Sequence, residues 1–177
     1  MATKRVVLGS GKLYVAEYTG STIPEDSVIE TDDNLIGYIQ GGASLTYEPE
    51  FYTAEDDLGY VKKQILTNEN VVLKSGIMTW NGKTLQKLCS TTRVTDDGST
   101  RTVKIGGIEN YDGKSYVVHF VYKDKVDGDV RVTIVGSNEA GFELAFAQDA
   151  ETVIDAEFTA LPCDDEGTLV ILKETIA

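Results

Sequence analysis

Cysteine, histidine and basic residues are the scarce materials of this 177-residue chain, and each shortage removes a class of function. Its 2 cysteines, Cys89 and Cys163, lie far apart and in no C-x-x-C spacing, so they are expected as reduced thiols rather than as a disulfide framework or a zinc site. The single histidine, His119, sits mid-strand between Val117 and Val121 and is expected to be packed and hydrogen-bonded. A multi-histidine metal site is therefore out of reach, and a catalytic base would lack a poised partner. Only 16 Lys and Arg stand against 29 Asp and Glu, a net charge of -13 that repels phosphate and anionic lipid. Lys4-Arg5 and Lys62-Lys63 are too small to form a basic patch. No stretch approaches the roughly 20 apolar residues of a membrane span, and Val6-Val7-Leu8 is too short for a signal peptide core. The expectation is a protein made and folded in a cytoplasm.

Catalytic and ligand-binding signatures are equally thin. Gly9-Ser-Gly-Lys12 invites a phosphate-loop reading, but Leu13 follows the lysine and a strand comes next, where a phosphate loop needs Ser or Thr and a helix N-terminus. Asp96-Asp97-Gly98 and Asp124 to Asp129 carry fragments of a calcium loop without its alternating ligands and closing Glu; Asp-Gly turns explain both. Carboxylates are so abundant that a glycosidase acid pair cannot be picked out. Nucleophile-elbow and dinucleotide fingerprints are lacking. No enzyme activity and no cofactor are expected.

What the chain does contain is short alternating segments separated by turn residues. Arg5 to Leu8 and Leu13 to Tyr18 read as strands; Thr19 to Asn34 reads as a loop or extended arm, longer than the usual connection. Leu35 to Gln40 reads as a short strand and Gly41 to Tyr52 as a longer one, turning through Glu55-Asp56-Asp57-Leu58-Gly59 into Tyr60 to Thr67; Glu69 to Thr79 reads as a third strand of that stretch. In the first of these Leu45 and Tyr47 share one face while Ser44, Thr46, Glu48 and Glu50 share the other. Leu85, Leu88 and Cys89 define a helix over residues 83–89, capped by Asn81 or Thr79. Asp97-Gly98, Asp112-Gly113, Asp127-Gly128 and Glu166-Gly167 punctuate further strands, among them Ser115 to Asp124, apolar on both faces, and Gly141 to Gln148. This is a mainly β chain, an antiparallel β-sandwich or barrel with one short flanking α-helix, in one domain over residues 1–177. The aromatics Tyr47, Phe51, Tyr52, Tyr60 and Trp80 suit a sugar-stacking platform, core packing or a subunit interface alike.

Leu8-Gly-Ser-Gly-Lys-Leu-Tyr-Val15, Gly42-Ala-Ser-Leu-Thr-Tyr-Glu-Pro-Glu50 and Lys74-Ser-Gly-Ile-Met-Thr-Trp-Asn81 together resemble the tail-tube (major tail) proteins of bacteriophages and of phage-tail-like bacteriocins. The resemblance continues through Arg101-Thr-Val-Lys-Ile-Gly-Gly107, Ala156-Glu-Phe-Thr-Ala-Leu-Pro162 and Glu166-Gly-Thr-Leu-Val170, covering nearly the whole chain. It implies a structural subunit of the virion tail, assembled in the bacterial host cytoplasm as hexameric rings stacked into a hollow tube. It further implies Ser44, Thr46, Glu48 and Glu50 as lumen-lining residues and Glu55, Asp56, Asp57 and Leu58, with the 19–34 arm, as ring-to-ring contacts. Tyr47, Phe51 and Tyr60 would then stand at the subunit interface. The implied partners are other copies of the chain, a tape-measure protein, tail terminator and baseplate or tip proteins, and a sheath in a contractile tail, with DNA as transient non-specific cargo and no membrane. The residues by themselves leave a carbohydrate-binding or adhesion β-sandwich module as the alternative.

Overall fold

The computed structural model describes residue 7 and residues 9–176. Apart from Val7, which is exposed and outside any strand, the expected strand Arg5 to Leu8 lies outside the described residues. From there the chain is mainly β, as its alternation requires. Strand β1 (Lys12–Tyr18) is followed by a one-turn helix α1 (Asp26–Ile29), β2 (Leu35–Gly37), β3 (Ile39–Glu55), β4 (Lys62–Ile77) and helix α2 (Gly82–Leu88). Then come β5 (Arg93–Asp96), β6 (Arg101–Lys104), a 3₁₀ turn at Ile108–Asn110, β7 (Ser115–Tyr122), β8 (Val130–Asn138), β9 (Ile154–Leu161) and β10 (Ile171–Glu174).

The main sheet is antiparallel and runs β2-β1-β7-β8-β9-β4-β3, with β10 also paired to β8. Its two outermost strands, β2 and β3, are separated in sequence by Tyr38 alone. Two Cα steps span at most about 7.6 Å, so the sheet must curl until its ends meet. The seam is stitched there: the Tyr38 amide donates to Thr79 Oγ1 (2.7 Å) and the Met78 amide donates to the Tyr38 carbonyl (2.8 Å). Gly37 makes that approach possible, because its φ is +153° and a Cβ would fall 2.0 Å from the Thr79 carbonyl oxygen.

Inside the curl, Leu13, Val15, Leu73, Ile77, Val118, Ile134, Ile154 and Phe158 form the main core, and α2 plugs it with Leu85 and Leu88. Asn81 begins that helix: its Oδ1 accepts from the amides of Lys83 (2.8 Å) and Thr84 (3.3 Å), and Thr84 Oγ1 accepts from the Asn81 amide, a capping box. Thr79, the other candidate cap, is engaged by Tyr38 instead. Val117, Val121 and Val135 point out of the curl with Tyr14, and there the 19–34 arm lies over them with Ile29 buried among them. The arm, expected as a loop, thus carries a second helix and closes a smaller core against its own chain.

Four expected strand features are organised differently. Tyr60 to Thr67 and Glu69 to Thr79 merge into the 16-residue β4, because Thr67 is accommodated as a bulge: Glu50 pairs with Asn68, Phe51 with Leu66, and Thr67 Oγ1 donates to the Glu50 carbonyl. Gly141 to Gln148 joins no ladder; Phe142 and Leu144 lean on the core while Phe146 is exposed. Glu166-Gly167 does not close a hairpin either, since β9 and β10 both pair with β8, one on each half of the same strand. Leu35 to Gln40 is likewise divided, β2 ending at Gly37 and β3 beginning at Ile39.

Candidate assembly surface

A pair of strands that outruns its sheet dominates the surface. β9 pairs with β4 only from Val72 to Ile77, whereas β3 pairs with β4 along its whole length to Glu55 and Lys62. Beyond Val71 the β3–β4 hairpin therefore carries two unpaired edges and has both faces exposed among the described residues. A two-stranded hairpin on its own is marginally stable in water, and bare edges invite pairing with another chain.

Two devices shape it. At the base, Gly41 and Gly42, with φ of +80° and +77°, form a bulge between the pairs Gln40–Gly76 and Ala43–Ser75. At the tip, Asp56 builds the turn: Oδ1 accepts from the Val61 amide (2.6 Å) and Oδ2 from the Leu58 amide (3.3 Å). Those bonds, the Val61 amide foremost, hold the Asp56 carboxyl below the usual carboxylate value.

Cross-strand partners share a face, which fixes where each expected site residue lies. Ser44, Thr46, Glu48 and Glu50 do lie together, opposite Lys74, Val72, Asn70 and Asn68. That polar wall covers only the proximal half, for the next pairs on the same face are Tyr52 with Ile65 and Ala54 with Lys63. Lys74 at its base pairs with Glu157 Oε2 at 2.8 Å. Tyr47 and Phe51 are on the opposite face with Leu45, Val71 and Leu66; it continues the core-facing side of the sheet out into solvent. Tyr47 Oη donates to Glu69 Oε1 (2.7 Å), a bond that raises the phenol's pKa.

Glu55 closes the ladder and Asp56, Asp57 and Leu58 form the tip with Tyr60, which is 83% exposed. Of the hairpin's two adjacent lysines, Lys62 pairs within the chain with Glu55 at 3.5 Å and Lys63 lies on the polar-wall face. Val61, Ile65 and Leu66 are exposed apolar residues on the hairpin that the sequence pattern did not single out. The Thr67 bulge hides them: it switches the parity of β4, so Leu66 shares a face with Val71 instead of opposing it.

His119 is fully buried and away from the hairpin, its Nδ1 2.7 Å from Thr133 Oγ1 and its Nε2 3.4 Å from Glu30 Oε1. Cys89 and Cys163 are free thiols in the structure, as expected. Among the described residues no group of three or more His, Cys, Asp or Glu is placed to hold a metal, and no helix is long and apolar enough to cross a membrane.

No family model matches the sequence, and no curated protein matches it. Among solved structures the chain is similar to one described as "Virion of native gene transfer agent (GTA) particle", at 10% identity and a TM-score of 0.43, over 93% of this chain and 95% of that one. At that identity and score the likeness assigns neither a family nor a function.

Proposed function

We propose that this chain is a structural subunit of a phage tail tube, or of the tube of a phage-tail-like particle, and that it assembles as stacked hexameric rings around a conduit for DNA. The observation that carries the reading is the overlong β3–β4 hairpin, with exposed Leu45, Tyr47, Phe51, Tyr52, Tyr60, Val61, Ile65 and Leu66. Exposed apolar surface on that scale marks an interaction site. Pairing of β3 with a neighbour's β4 would convert a row of free edges into a closed barrel, which alone removes edges altogether. The sequence resemblance supports the same reading.

In that barrel Ser44, Thr46, Glu48 and Glu50 line the lumen, Tyr47, Phe51 and Tyr60 pack between subunits, and Glu55 to Leu58 meet the adjacent ring. An acidic wall suits a conduit, since phosphate contacts would hold DNA where it must slide. Tape-measure, terminator and baseplate or tip proteins are the partners this role brings, with a sheath in a contractile tail. Negative-stain electron microscopy of the concentrated protein tests the reading. Rings or hollow tubes are expected; uniformly monomeric particles that bind glycans would replace it with an adhesion module.

A further inference from the structure

Outside the hairpin, the densest grouping of charged side chains joins the 19–34 arm to the outer side of β7, β8 and β10. Arm residues Asp26 and Glu30, one helical turn apart, reach across to it. Glu30 Oε1 accepts from Arg131 Nε at 2.6 Å and faces His119 Nε2, while its Oε2 lies 3.7 Å from Lys123 Nζ. Asp26 Oδ1 accepts from Lys173 Nζ at 2.7 Å, and its Oδ2 is 3.7 Å from Arg131, which also donates to Asp129. Between the two carboxylates Ile29 seals the strip formed by Tyr14, Val117, Val121 and Val135.

The arm has little structure of its own to fall back on. α1 is a single turn with no side-chain cap at Glu25, and one isolated turn does not persist in water. Asn34 ties the arm to itself, donating to the carbonyls of Val28 and Ile29. Its docking therefore rests on the clasp, on Ile29 with Ile23 packed beside the same strip, and at its far end on the Val15 amide, which donates to the Asn34 carbonyl (2.8 Å).

We propose that Asp26 and Glu30 form a proton-operated clasp, which holds the arm over the outer sheet near neutral pH and releases it, with the sheet intact, when His119 beneath it takes up a proton in mild acid. The groups that face this imidazole are Tyr14 from β1, Thr133 and Arg131 from β8, and Asp26 and Glu30 from the arm. Burial holds the imidazole below its ordinary value, outweighing the pull of Glu30 and Asp26 toward the charged form. With the arm lifted, Nε2 meets water, so the open form binds the proton more tightly. The closed form is thus fully favoured above the free histidine value and loses ground as pH falls through the depressed one, by at most about tenfold per pH unit for one proton. Glu30 titrates in the same sense at lower pH: burial opposes its charge, but hydrogen bonds from Arg131 and His119 hold it below the usual carboxylate value. This device does not depend on the tail-tube reading.

Peptide-resolved hydrogen exchange on the full chain, corrected for intrinsic rates, tests it between about pH 7.5 and about pH 5. The expected result is opening of residues 23–34 that grows as pH falls while β7 and β8 stay protected. Glu30→Gln should open the arm at least about tenfold at neutral pH, the least that losing a charge-assisted bond implies. His119→Gln should flatten the pH response. An arm whose exchange ignores pH and is unchanged by Glu30→Gln, or which opens only when β7 and β8 unfold with it, would overturn the proposal. The pH series and Glu30→Gln decide the matter even where His119→Gln fails to fold.

Discussion

Replacing Phe51 and Leu66 together with serine separates assembly from folding. The two face each other across the hairpin on the side that continues the core, yet they are 54% and 47% exposed, so the lone subunit gains little from them. Taking about 200 Å² for a whole phenylalanine side chain and about 150 Å² for leucine, a neighbour that covers the exposed parts removes about 110 and about 70 Å² from water. At about 25 cal/mol per Å² that is about 4.5 kcal/mol per subunit, or about three decades in the concentration needed to assemble. The subunit itself should lose at most about 1 kcal/mol, two surface changes of about 0.5 each. Sedimentation velocity across a concentration series reads the first quantity and urea unfolding of dissociated subunits the second. Unchanged assembly would refute the interface assignment. A subunit destabilised by several kcal/mol with assembly intact would show instead that the pair belongs to the fold.

Phe158→Ala should cost about 3–5 kcal/mol in urea unfolding, since Phe158 is fully buried at the centre of the main core. Asn81→Ala should cost about 1 kcal/mol by the same measurement, with protection lost first in α2, because it removes the acceptor of two helix amides. Asp56 is a carboxylate with a depressed value, so its support of the hairpin turn is present above the unfolded carboxylate range and is lost as pH falls through the lower, folded value. Exchange of the Leu58 and Val61 amides should accelerate in that acid window, and Asp56→Asn should remove the pH dependence. Charge reversal of Glu48 and Glu50 to lysine should leave tubes intact but slow DNA release from virions, as new phosphate contacts form; unchanged ejection kinetics would argue against a lumen position.

Much of the architecture is written in short-range signals. Asp97-Gly98 places the β5–β6 hairpin, the two-sided apolar run at Ser115 marks β7 as a central strand, and Leu85 and Leu88 place α2. Each of these depends on residues a few positions apart. The seam at Tyr38 was not legible, because it joins strands through Thr79, far along the chain, and its only local mark is Gly37. The length of β4 was obscured by Thr67, one extra residue that inverts the alternation on which strand reading depends. The arm reads as polar loop because its two anchoring carboxylates find partners on β8 and β10, about 100 or more residues later. The polar face of Ser44, Thr46, Glu48 and Glu50, and the place of Tyr52 at its end, follow from alternation alone, but the position of Ile65 on that face was not legible, because it depends on the Thr67 bulge.

The most direct measurement is a side-chain-resolution cryo-electron microscopy reconstruction of the assembly proposed for this chain. The account predicts β3 of one copy hydrogen-bonded edge to edge with β4 of the next, and Glu48 and Glu50 facing a continuous central channel. Hairpins that project outward, or that meet no neighbouring strand on either edge, would contradict it.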